Sequence, residues 1–203
     1  MYHYYMFNKP FGCVCARRDD LYPTVMDYFK ELNNENLSPV GRLDRETEGL
    51  LFITDDGHWN QLMTHPSNQK EKLYEFIAMG TLDSEKIARL ENGLLLTGAD
   101  KLTAPAKITV TGTSILSEVL PTLHPEIQKK SCHNRPEHPI VMGTIVITEG
   151  KKHQVRRMLK AVGCLILYLK RHSMGDITLD PDLKPGEWKE IGDRVNSNWD
   201  GVF

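Results

Sequence analysis

Apolar positions along the chain change their period several times, and each change marks an element. Tyr4, Tyr5, Met6 and Phe7 form a continuous apolar run, followed by Asn8, Lys9, Pro10, Phe11 and Gly12. Such a run, closed by Pro10 and Gly12, predicts a buried strand, a turn and a second short strand over 13–16. Val25, Tyr28, Phe29 and Leu32 then recur at helical spacing, between Pro23 and the pair Asn33 and Asn34. That spacing predicts a helix. Residues 38–49 carry no period and read as a loop. Leu50, Leu51, Phe52, Ile53 and Thr54 predict a buried strand, closed by Asp55, Asp56 and Gly57. Trp59, Leu62 and Met63 form the apolar side of a short helix that ends before Pro66.

The second half alternates in the same way. Residues 72–80 and 106–111 read as strands. Residues 84–92 read as a helix stopped by Gly93. Residues 112–139 are rich in Pro, His, Ser and charge, and read as an irregular surface insertion. Residues 141–148 resume a strand of alternating β-branched positions. Val155, Met158, Leu159 and Val162 make one apolar helical stripe stopped by Gly163. Residues 164–169 form a strand running into Lys170 and Arg171, and Pro185 and Gly186 precede a last short strand over 188–191. Helices and strands mix without regular β-α alternation. The fold class expected is α+β, a mixed and mainly antiparallel sheet with helices packed on it.

Bulk properties narrow the function classes. The chain has 203 residues, enough for a single domain over 1–203 or two small lobes sharing a core. No run of eighteen apolar residues exists, and the N-terminus lacks the layout of a signal peptide. A cytoplasmic protein with no membrane partner is expected. Cys13, Cys15, Cys132 and Cys164 do not form a disulfide framework or a paired zinc motif. A metal at Cys13, Cys15, Cys132 and His133 fits the ligand-spacing rule poorly, so none is expected. The formal net charge is −2. The segment 149–171 nevertheless holds seven basic residues and one acid, a local +6 against −8 for the remaining 180 positions. Such a concentrated stripe reads either as a polyanion site or as a solvated helix face.

The stretch richest in candidate chemistry runs from Gly41 to Leu51. Arg42, Asp44, Arg45, Glu46 and Glu48 crowd a loop directly ahead of a wholly apolar strand. Loops on a rigid scaffold are where catalytic groups usually sit, and a carboxylate between two arginines could be held ionised. The plainer alternative is an exposed ion-pair loop of little energetic value.

These residues resemble a known signature. Gly41, Arg42, Leu43, Asp44, Thr47, Gly49, Leu50 and Leu51 fill every fixed position of the G-R-L-D-x-x-T-x-G-L-L core of the RsuA/RluE-type pseudouridine synthase family. Lys9-Pro10-Phe11-Gly12 is similar to the family's K-P-x-G. Thr64-His65-Pro66 matches T-H-P, Lys72-Leu73-Tyr74 matches K-x-Y, and Pro105-Ala106 matches P-A. The segment from Glu149 to Met158 follows E-G-x-x-x-Q-V-R-R-M, and Leu169-Lys170-Arg171 completes the series. The ordered matches span about residues 4–191.

The resemblance implies the pseudouridine synthase fold, a curved mixed sheet of two α/β lobes flanking a central cleft, with no cofactor and no metal. It implies Asp44 as the essential carboxylate and Tyr74 as the tyrosine that stacks on the target base and serves proton removal from C5. It implies Arg156 as the cation pairing with Asp44, and Leu169 as the apolar wall of the base pocket. Taken alone, Tyr74 and Leu169 read as core and Arg156 as an exposed helix charge; only the joint pattern singles them out. Arg42, Lys151, Lys152, Gln154, Arg157, Lys160 and Arg171 are the expected RNA-contacting positions. His124, Lys129, Lys130, His133, Arg135 and His138 of the insertion could touch RNA, though a surface loop is the plainer reading.

The K-P-x-G match begins at residue 9, which leaves no room ahead of it for the S4-type RNA-binding module of many relatives. That resembles the shorter RluE-like branch and points to large-subunit ribosomal RNA as partner, with a monomer as the default state. Alternatives left open are the same chemistry on small-subunit ribosomal or transfer RNA, and a non-catalytic RNA-binding assembly factor. The nucleotide modified and the route taken by Asp44 (addition at C6, attack at C1′, or a glycal) are not fixed by these residues.

Overall fold

β1 (Tyr4–Lys9) is buried along its whole length because both of its faces are covered. Tyr4 and Met6 enter a core with Val40, Leu50, Phe52, Trp59, Met63, Met174, Leu179 and Ile191. On the opposite face Tyr5 and Phe7 meet Phe29, with ring centroids 5.7 and 5.4 Å apart, and Trp188 lies 5.2 Å from Tyr5. Such tilted and edge-on aromatic contacts add to the burial of area. This two-sided burial is what a continuous apolar run, rather than an alternating one, encodes.

A computed structural model of the chain describes residues 1–131 and 135–192, which fall into two compact units. The first comprises Met1–Lys70 and the chain from Arg171 onward; the second is Glu71–Lys170. In the first unit β1 pairs antiparallel with β3 (Glu48–Thr54), Tyr4 opposite Thr54 and Lys9 opposite Gly49. On its other edge it pairs with β9 (Trp188–Glu190). The short β2 (Ser38–Pro39) borders β3, inside the stretch expected to be loop. A 3-10 helix covers Val25–Leu32 where a helix is expected, and Asp27 accepts the Thr24 N–H at its start, at 2.7 Å. The helix α1 (Gly57–Thr64) is capped by Asp56, whose carboxylate accepts from His58 and Trp59 N–H. Tyr4 donates its hydroxyl to the same carboxylate at 2.7 Å. The strand expected over 13–16 does not form; Val14 makes only an isolated bridge to Thr24.

The second unit holds an antiparallel sheet whose middle strand is the last of three in sequence, with helices beside it. β4 (Lys72–Met79) pairs with β6 (Pro139–Ile147), and β6 pairs with β5 (Lys107–Ile115), with a bulge between Val110 and Gly112. β4 alternates strictly, so Lys72, Tyr74, Phe76 and Ala78 share the buried face. The helix α2 (Ser84–Asn92) is capped by Asp83 and ends at Gly93. The segment expected to be an irregular insertion is largely ordered. It begins as the end of β5 and continues through α3 (Leu116–Val119), one 3-10 turn and α4 (Pro125–Lys130). Leu116, Val119, Leu123 and Ile127 are buried at roughly helical spacing, a stripe masked in the sequence by the prolines and histidines between them. His124, Lys129, Lys130 and Arg135 are exposed and His138 half-buried, while Cys132 and His133 lie outside the described residues. The helix α5 (Gln154–Ala161) buries Val155, Met158 and Leu159 as its stripe predicts. β7 (Leu165–Met174) starts in the second unit and passes into the first at Lys170–Arg171, where β8 (Ile177–Thr178) pairs with its end. No helix among the described residues is long and apolar enough to cross a membrane.

Gly143 of β6 lies opposite Phe76 on β4 and Val110 on β5. A Cβ there would lie 2.4 Å from the Thr109 carbonyl and 2.9 Å from the Phe76 ring. Gly143→Ala is therefore expected to destabilise the protein by about 1–3 kcal/mol, read as a lower midpoint in urea unfolding with an unchanged slope.

Candidate active site

The loop between β2 and β3 carries Asp44, and its shape is set from below by a buried ammonium. Lys9 ends β1 with no exposed surface. Its Nζ donates to the carbonyls of Thr47 at 2.9 Å, Pro10 at 3.1 Å and Arg45 at 3.3 Å. Three carbonyls use all three donors of an ammonium, which is the condition under which a buried charge is tolerated. Burial lowers the Lys9 pKa, and the nearby Cys13, Cys15, Glu48 and Asp44 oppose that shift.

Other main-chain ties flank Asp44. Gly12 N–H donates to the Arg45 carbonyl at 2.9 Å, and Thr47 N–H to the Asp44 carbonyl at 3.0 Å. Leu43 N–H donates to the Cys15 sulfur at 3.2 Å. Burial pushes the Cys15 thiol up, against the opposing pull of that N–H and of Lys9, Arg171 and Arg42, so the sulfur accepts as a neutral group. The Arg45 guanidinium lies over the rings of Tyr22 and Phe11, 4.7 and 5.5 Å from their centroids. Leu43 and Thr47 are buried, Arg42 is exposed and Asp44 is half-buried. The loop is thus not a floating ion-pair cluster; it carries Asp44 on a backbone fixed on both sides.

Arg171 was expected at the RNA surface, and the structure places it inside the first unit instead. It is 2 % exposed, its Nε donates to the Leu50 carbonyl at 2.8 Å, and its Nη2 is buried with no hydrogen-bond partner among the described residues. The apolar strand ahead of it in sequence is the signal that marks burial; the adjacent Lys170 hides it.

The remaining candidates belong to the second unit. Tyr74 is 7 % exposed and faces the same way as Phe76, opposite Ile145 on β6. Leu169 is buried in β7. Arg156 and Arg157 are half-buried on α5, and Lys151, Lys152 and Lys160 are exposed. Gln154, expected to meet RNA, is buried and engaged internally. Its amide nitrogen donates to Glu149 Oε1 at 2.5 Å and its oxygen accepts the Lys151 N–H at 2.8 Å. Glu149 Oε1 also accepts the Ala104 N–H at 3.0 Å, and Glu149 Oε2 pairs with Lys151 Nζ at 3.1 Å. Gln154 and Glu149 thereby brace the turn that launches α5 and its arginines. His153 precedes the helix with φ 52°, a left-handed conformation uncommon for a non-glycine residue. The structure therefore gathers Arg42, Asp44 and Arg171 in one unit, and Tyr74, Leu169 and the α5 cations in the other.

Comparison with known proteins gives the class first. A solved pseudouridylate synthase superposes with a TM-score of 0.77 at 30 % identity, covering 97 % of this chain and 73 % of that one. The human RNA pseudouridylate synthase domain containing 1 shares the fold at 13 % identity, with a TM-score of 0.55. The fold is that of the pseudouridine synthases, a mixed and mainly antiparallel sheet with helices. The family model described as RNA pseudouridylate synthase matches residues 3–161. The ribosomal small subunit pseudouridine synthase A of Pseudomonas aeruginosa is 34 % identical over 188 residues, 93 % of this chain and 70 % of that protein. The RNA pseudouridine synthase YtzG of Bacillus subtilis is 37 % identical over 190 residues, 93 % of this chain and 69 % of that one. The chain belongs to the RNA pseudouridylate synthase family and is an isomerase of the RsuA type.

Removing the buried ammonium should be costly. Lys9→Met takes the ammonium donor away from the Pro10 and Thr47 carbonyls, leaves the Arg45 carbonyl with the Gly12 N–H alone, and is expected to destabilise by about 3 kcal/mol or more. The cost should depend on pH. Because the folded-state pKa lies below the ordinary value near 10.5, the unfolded chain binds more protons in the window between the two. Wild-type stability relative to the variant should therefore rise with pH across that window, measured by urea unfolding at a series of alkaline pH values.

Proposed function

We propose that this chain isomerises a uridine of small-subunit ribosomal RNA to pseudouridine, with Asp44 as the carboxylate that drives the reaction. The observation that carries the reading is the fixed presentation of Asp44: its loop matches the family signature at every fixed position and is tied to Lys9, Gly12 and Cys15. The small-subunit assignment replaces the large-subunit expectation of the sequence. It rests on relatives such as the small-subunit enzymes of Pseudomonas aeruginosa and Escherichia coli, each 34 % identical to this chain.

The reaction breaks the N1–C1′ bond, turns the uracil, joins C5 to C1′, and moves the C5 proton away while N1 gains one. Every route for the carboxylate gains from an ionised oxygen and from exclusion of water. In this reading Tyr74 supplies the aromatic face and takes part in proton removal at C5, Arg156 supplies the cation, and Leu169 supplies an apolar wall that retains the detached base. Stacking on an aromatic platform is worth about 1–3 kcal/mol per base. The target nucleotide must leave its stack, at a cost of a few kcal/mol. Phosphate contacts from Lys151, Lys152, Arg157 and Lys160 offset that cost. Arg42, exposed beside Asp44, is proposed as a further substrate contact. Gln154 acts in this reading by holding the turn before α5, and Arg171 by supporting the Leu50 carbonyl behind the loop.

Asp44→Ala is expected to lower pseudouridine formation about a thousand-fold or more while leaving the unfolding transition nearly unchanged. The assay incubates wild type and variant with protein-free small-subunit and large-subunit ribosomal RNA and maps pseudouridine by chemical modification and primer extension. Residual turnover near the wild-type rate in the variant removes Asp44 from the mechanism. Modification confined to large-subunit RNA overturns the substrate assignment alone.

A further inference from the structure

The hairpin between α2 and β5 is the best-built exposed feature that the catalytic reading does not use. Leu94 and Thr103 close its base twice: Thr103 N–H donates to the Leu94 carbonyl at 2.9 Å, and Leu94 N–H to the Thr103 hydroxyl at 3.0 Å. Gly93, at φ 90°, lets the two arms approach; a Cβ there would lie 2.4 Å from the Thr103 carbonyl. Leu94 and Leu96 point inward and are buried, yet between them Leu95 is 63 % exposed. Its partner across an antiparallel bridge is Leu102, 59 % exposed. Residues directly opposite in such a pair project to the same face, so two leucines stand side by side in solvent on a fixed hairpin.

The hairpin is tied to the basic segment. Lys151 Nζ donates to the Leu102 carbonyl at 3.4 Å, and Arg157 Nη2 to the Thr97 carbonyl at 2.6 Å. Lys101 and Lys152, both exposed, adjoin Leu102 and Lys151 in sequence, and Asp100 is the one acid of the hairpin. An apolar pair on a hairpin that Lys151 and Arg157 bind through its backbone, with Lys101 beside it in sequence, suits a protein partner poorly, because the cores of protein interfaces are depleted of charge. It suits a polyanion whose unstacked bases offer apolar faces, where aliphatic wedges and lysines commonly act together.

We propose that residues 93–103 form an RNA-docking hairpin, in which Leu95 and Leu102 pack on an unstacked base or base step while Lys101, Lys151, Lys152 and Arg157 hold the flanking phosphates. The proposal rests on the reading of the chain as an enzyme of ribosomal RNA, and it adds a substrate contact outside the residues assigned to the chemistry. Its test uses the full chain and a transcript of small-subunit ribosomal RNA, with Kd measured at two salt concentrations and kcat and KM measured for pseudouridine formation. The double variant Leu95→Ser/Leu102→Ser should raise Kd and KM about ten-fold, leave kcat within about two-fold, and keep the salt dependence of Kd. Lys151→Ala should instead reduce the salt slope by about one. Leu165→Ser, at another exposed leucine of the same unit, should change neither. Leu95→Gln/Leu102→Gln, a second replacement of the same pair, should repeat the Ser result, which separates lost contact from altered folding. Unchanged Kd and KM in both double variants, with the wild type active, overturn the hairpin's role and leave the proposed function standing. A wild type that neither binds nor modifies the transcript overturns both.

Discussion

A single buried ammonium organises the part of this molecule that matters most. Lys9 has no exposed surface and directs all its donors at carbonyls of the turn after β1 and of the loop bearing Asp44. Its position at the end of β1 is set by the pairing of that strand with β3, whose first residues adjoin the same loop. Strand register and loop shape are therefore one constraint. A slip of one residue in β1 would turn the lysine to the opposite face and take the ammonium away from the loop carbonyls.

That constraint explains why so polar a loop can be rigid. Charged side chains in water gain little from one another. The loop is held instead through its backbone, by Lys9, by the Gly12 N–H and by the Cys15 sulfur. Gln154 and Glu149 repeat the device in the second unit, where a buried amide and a half-buried carboxylate fix the turn from which Arg156 departs. Fully satisfied buried polar groups of this kind rigidify and specify a local structure.

Much of this was legible in the sequence. The strands at 4–9, 50–54, 72–79 and 141–147 and the helices α2 and α5 follow from the period of their apolar positions, and the signature around Asp44 pointed to the family. What was hidden had physical causes. The 3-10 form of the helix after Thr24 and the short β2 are decided by tertiary contacts, not by pattern. The ordered helices over 116–130 were obscured because prolines and histidines interrupt a stripe that is nonetheless buried. Arg171 and Gln154 looked like surface groups because side-chain type was read without its partners. The Leu95 and Leu102 pair escaped notice because no sequence pattern distinguishes an outward leucine from an inward one on a short hairpin.

The pairing of β1 with β9 joins Phe7 to Trp188, positions about 180 residues apart, whereas the whole second unit lies on one uninterrupted stretch of chain. During synthesis the second unit can assemble once its own stretch has left the ribosome, while in the first Phe29 can cover the aromatic side of β1 early but Trp188 completes that cover only when β9 has been made. Tyr5 and Phe7 thus complete their burial late in synthesis, a delay imposed by the order of the strands alone.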